Sequence, residues 1–96
     1  MLKEAISIAV QDTSISKETL VFLETAFVKG TRTKILIDRL KNKLHIIYDK
    51  GGYASNIRLI YILDNTDDIR AWLTNVNEAV NVIQVHKHRK VEDGRY

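Results

Sequence analysis

Ile69, Trp72, Leu73 and Val76 recur at i, i+3, i+4 and i+7, the spacing that lines one face of an α-helix. Asp67 and Asp68 stand just ahead of them, where carboxylates complement the positive end of a helix, and Thr66 or Asn65 is placed to cap it. A stripe this apolar must be covered. In 96 residues there is material for one core, since a second would take roughly another 50. The chain is therefore expected to be a single domain, 1–96, built from whatever surfaces close over that helix.

Other segments read less uniformly. From Ala5 to Val10, Ile6, Ile8 and Val10 alternate with Ala5, Ser7 and Ala9, the pattern of a strand covered on one side. Ser16 is a good N-cap, Leu20, Leu23 and Phe27 follow at helical spacing, and Lys29-Gly30 supplies a basic last turn and a stop, which predicts a helix over 17–29. Residues 31–43 read as a second helix capped by Thr31 or Thr33, with Leu36, Ile37, Leu40 and Leu44 on one face, although Ile35-Leu36-Ile37 also suits a buried strand. Residues 44–48 and 57–63 read as two strands of a hairpin turned by Asp49-Lys50-Gly51-Gly52, and 80–85 as a last strand. Residues 87–96 hold little that can be buried and read as a basic C-terminal tail.

That order predicts an α+β fold, a four-stranded mainly antiparallel sheet with two or three helices packed on one face. If 31–43 extends the first crossover, the topology is the ferredoxin-like βαββαβ.

Charge is distributed unevenly. The net charge is +3, but 29–43 holds six bases (Lys29, Arg32, Lys34, Arg39, Lys41, Lys43) against Asp38, while 64–78 sets Asp64, Asp67, Asp68 and Glu78 against Arg70 alone. One face suited to phosphate and another suited to a basic partner follow from this, unless the charge is simply solvated surface. There is no cysteine, which excludes disulfides, thiolate metal sites and thiol nucleophiles, and makes a cytoplasmic address the expectation. Met1-Leu2-Lys3-Glu4 leads into no apolar run of signal-peptide or membrane-span length, so neither is expected. Gly51-Gly52 is a turn signal without a phosphate-binding loop or dinucleotide fingerprint, and no cofactor is expected. His86 and His88 share one side of an extended strand, but no third ligand is predictable beside them, so no metal is expected either. His45, at the start of an apolar strand, reads as structural, and Trp72 as core. Tyr48, Tyr53 and Tyr61, among basic residues, are compatible with base stacking.

Arg58-Leu59-Ile60-Tyr61, then Val82-Ile83-Gln84-Val85 and the run His86-Lys87-His88-Arg89-Lys90 before a final Tyr96, resemble the C-terminal half of the RelE/ParE toxin superfamily. About 40 residues carry the likeness. One departure is that the acidic helix at 67–76 stands between the last two strands, where that family has a tight turn. The resemblance implies a ribosome-dependent mRNA endonuclease, held inactive by an antitoxin over its basic face. It also implies Arg58 as the phosphate-binding arginine, His88 or Arg89 as the group that stabilises charge or protonates the leaving 5′-oxygen, and Tyr96 as the aromatic that stacks or orients the 2′-hydroxyl. RNA cleavage through the 2′-hydroxyl requires a base, a cation over the phosphate and an acid, and this sequence offers no obvious owner for the base. Lys34, Arg39, Lys41, Lys43, Lys50, Lys87 and Lys90 are the candidate nucleic-acid contacts. The rival reading is a non-catalytic ferredoxin-like module, of the kind a phage or other mobile element carries, that binds nucleic acid or another protein, to which the acidic helix lends weight.

Overall fold

The computed structural model describes residues 1–51 and 54–93, with the backbone alone described over 88–93. Five helices follow one another: α1 (Leu2–Gln11), α2 (Lys17–Lys29), α3 (Thr33–Asp49), α4 (Ser55–Asn65) and α5 (Ile69–Asp93). α1 packs on α2 and α3 on α4, giving two helical hairpins, and α5 packs on all four. At 1.5 Å per residue α5 is about 37 Å long, close to the 40 Å long dimension of the molecule. The first hairpin, the second hairpin and the bridging helix share one core, with Leu23, Leu36, Leu44 and Leu73 fully buried in it.

The helix boundaries have local causes. Ser16 Oγ accepts the Thr19 amide at 3.2 Å, and α2 stops at Gly30, whose φ of 69° is the left-handed conformation. The Thr31 amide then reaches back to the Ala26 carbonyl at 2.9 Å, closing the helix end in the manner of a Schellman turn. Asp68 caps α5 through the Ala71 amide at 3.0 Å, two residues past Thr66 and three past Asn65. Thr66 instead donates its hydroxyl to the Ile62 carbonyl at the end of α4. Asn77 of α5 ties down the α1–α2 loop. Its Oδ1 accepts from the Ser16 amide at 3.0 Å and the Thr19 hydroxyl at 2.8 Å, and its Nδ2 donates to the Ser14 carbonyl at 3.1 Å.

The helix at 17–29 and the helical reading of 31–43 agree with this architecture; the sheet does not. There is no strand among the described residues, so the α+β class, the four-stranded sheet and both the RelE-like and ferredoxin-like topologies are corrected to an all-helical bundle. At 5–10 the alternation of β-branched residues is real but is not what the fold uses. Leu2, Ala5 and Ala9 form the buried stripe, and Val10 is 64% exposed. Small alanines let α1 approach its neighbours closely. At 57–63 nearly every residue is apolar, a run in which period 2 and period 3.6 cannot be told apart. The chain buries Asn56, Leu59, Ile60 and Leu63 at helical spacing and leaves Tyr61 69% exposed. Residues 44–48 complete the α3 stripe through Leu44 and Ile47. Residues 80–85 continue the stripe of Trp72, Leu73 and Val76 through Ala79, Val80 and the partly buried Ile83. The hairpin turn is an interhelical turn in which Gly51 takes φ 86°; Gly52 and Tyr53 lie outside the described residues. The expected basic tail is helical in its first part, since α5 runs to Asp93.

Candidate functional site

The second hairpin leaves α3 beside α2, and the short connection through Gly30, Thr31 and Arg32 joins them at one end. Both helices pack on α5, yet they share no extended contact with each other. The result is an open groove of about 420 Å³ between them. Its floor is buried and apolar: Ala26 from α2, Leu36 and Leu40 from α3 and Val80 from α5. Phe22 and Ile83 stand half-buried on its walls. The rim is exposed and charged, with Lys29 on α2, Arg39 and Lys43 on α3, and Glu18 as its one carboxylate among the described residues.

Helical geometry explains why the basic segment divides. Arg39 and Lys43 are four residues apart and fall on the flank of α3 that faces α2. Lys34 and Lys41 fall on the other flank, beside α4. There Lys41 Nζ lies 2.6 Å from Asp64 Oδ1 and 3.8 Å from Asp38 Oδ1. Its hydrogen bond to Asp64 holds the Lys41 ammonium above its usual pKa, so this lysine is engaged in joining α3 to α4. Among the described residues the ion pairs found are both Lys41's, and Lys29, Arg39 and Lys43 have no carboxylate at that distance.

Of the residues implied by the toxin resemblance, Arg58 does not line this groove. Arg58 is exposed on α4 instead of lying on a sheet, and Lys50 is exposed just past the end of α3. Lys87 is exposed on α5, one helical turn beyond Ile83 of the groove wall. His88, Arg89 and Lys90 belong to the last turns of α5, and Tyr96 lies outside the described residues. His45 is exposed on α3, contrary to a structural role in a strand, whereas Trp72 is 3% exposed in the core as expected. Tyr48 and Tyr61 are exposed on different helices and line no pocket with the groove's cations. Lys29, Phe22 and Ile83 were not among the residues that sequence reasoning singled out as a site. The signal for Lys29 was the charge count of 29–43; nothing in the sequence points to the two apolar walls.

Among the described residues no helix is long and apolar enough to cross a membrane, and no three His, Asp or Glu side chains converge as a metal site would require. No family model matches the chain, and comparison with curated proteins and with solved structures finds no match.

Proposed function

We propose that this chain is a non-catalytic binding module that recognises another protein through the groove between α2 and α3. The observation that supports the reading is the coincidence, at one place, of an apolar floor with cations that have no carboxylate partner among the described residues: Leu36, Leu40 and Val80 beneath Lys29, Arg39 and Lys43. Above that buried floor, the half-buried Phe22 and Ile83 of the walls keep apolar surface of the kind that association covers. The unpaired cations select for negative charge and speed encounter with it. A nucleic-acid site relies on phosphate contacts and on aromatic platforms for bases. Among the described residues Phe22 is the one aromatic side chain of the groove, and Glu18 on the rim repels phosphate. The described lining carries no histidine and a single carboxylate, a poor set for acid–base work.

The test is photo-crosslinking from the rim. A photoreactive residue at Asn42, in nuclease-treated cells that express the intact chain, is expected to capture a protein. The same residue at Phe27, on the far side of α2 from the groove and 50% exposed, is expected not to. Capture should disappear in the double variant Arg39→Glu/Lys43→Glu. Crosslinks to nucleic acid, or equal capture from Phe27, overturn the reading.

A further inference from the structure

Resting on the protein-binding reading, we propose that the occupant is a short amphipathic helix of the partner, bearing a row of carboxylates, which lies between α2 and α3 as a sixth helix of the bundle. The shape argues for a helix. α2 and α3 each rest on α5 and diverge from the Gly30–Arg32 connection without an extended contact, and a gap between two helices over a third is filled by ridges packing into grooves. From Glu18 to Lys29 the groove follows about 16 Å of α2, the length of about three helical turns. Such a segment meets a surface like this with apolar anchors at i, i+3 or i+4, and i+7, against the half-buried Phe22 and Ile83 above the Leu40 floor.

The charges fix the rest. Arg39 and Lys43 are one turn apart on α3, the spacing at which carboxylates on a facing helix repeat. Lys29 extends the positive rim to the closed end of the groove, where α2 stops, and Glu18 marks the open end. The bound helix should therefore carry its acids toward α3 and toward the Gly30 end, and a neutral or basic residue beside Glu18.

The experiment uses the full chain and a synthetic helical peptide about four turns long, with a leucine stripe flanked by glutamates. Binding is read by fluorescence anisotropy and by amide chemical-shift changes. Shifts are expected at Phe22, Leu40 and Ile83, with affinity falling about tenfold or more in Arg39→Glu/Lys43→Glu, or when lysines replace the peptide's glutamates. Glu18→Lys should tighten binding several-fold, an effect that loss of folding cannot produce. Thermal melts of the variants check that they fold, as these three side chains are exposed. The proposal is overturned by an absence of groove shifts at millimolar peptide, by equal binding of the lysine peptide, or by decanoate saturating the groove where the peptide does not. If the peptide fails while Asn42 still crosslinks a protein, only this inference falls; if both fail, the protein-binding reading falls with it.

Discussion

Replacing Asn77 with alanine removes the polar clasp that holds the α1–α2 loop against α5. Three hydrogen bonds go together: Ser16 amide to Oδ1 at 3.0 Å, Thr19 hydroxyl to Oδ1 at 2.8 Å, and Nδ2 to the Ser14 carbonyl at 3.1 Å. A bond of this kind contributes about 0.5–1.5 kcal/mol net, and a buried donor left without a partner costs about 1–3 kcal/mol. Thr19 is fully buried, but its hydroxyl keeps its 2.9 Å contact with Ser16 Oγ. The main penalty therefore falls on the half-buried Ser16 amide. The expected loss is about 2–4 kcal/mol, a large share of the about 5–14 kcal/mol available to a chain of this length. Urea unfolding followed by far-UV circular dichroism measures it. Thr19→Val separates the contributions, because it removes the Thr19 hydroxyl and leaves the Ser16 and Ser14 contacts of Asn77 in place. It should cost less, about 1–2 kcal/mol. If Asn77→Ala stays within about 0.5 kcal/mol of wild type, or if Thr19→Val is the worse variant, the clasp does not hold the first hairpin to α5 as argued.

Other perturbations test separate parts of the bundle. Leu44→Ala, at a fully buried position, should cost about 3–4 kcal/mol in the same urea assay through the cavity it leaves. Gly30→Ala meets nothing within 4 Å, so its cost is that of the positive φ alone, about 1 kcal/mol, and a larger loss would show an unrecognised contact. Asn56 is 1% exposed and its Oδ1 has no partner among the described residues, while Nδ2 reaches the Leu44 carbonyl at 3.5 Å. Asn56→Leu should accordingly be neutral or stabilising by about 1 kcal/mol, and a loss above about 2 kcal/mol would mean that the amide is satisfied after all. The Ser14 hydroxyl and amide both donate to Asp12 and hold its carboxyl below the ordinary pKa. Such a depressed group favours the fold above its unfolded pKa, and the benefit is lost as pH falls through the folded value. An NMR titration should therefore place the Asp12 midpoint below its ordinary range, and Ser14→Ala should return it upward.

What could be read from the sequence follows from how much degeneracy each segment carries. α2 was legible because cap, stripe and stop agree: Ser16, then Leu20 and Leu23, then Gly30. The start of α5 was legible for the same reason, but its continuation was not. Val80 to Val85 is rich in β-branched residues that look like strand until Val76, Ala79, Val80 and Ile83 are read as one stripe. Local propensity and tertiary packing disagree there, and the bundle settles it by covering that stripe with α1, α2, α3 and α4. The candidate site was scattered for a different reason. Summed along the sequence, the bases of 29–43 form one positive block; on the faces of α3, with 57–63 a helix beside it and not a strand, they separate into Arg39 and Lys43 toward α2 and Lys41 toward Asp64. The sign and location of the charge were visible in the sequence, but which cations remain unpaired depended on the helical period. That distinction separates a groove able to attract an acidic helix from an ion pair that merely joins α3 to α4.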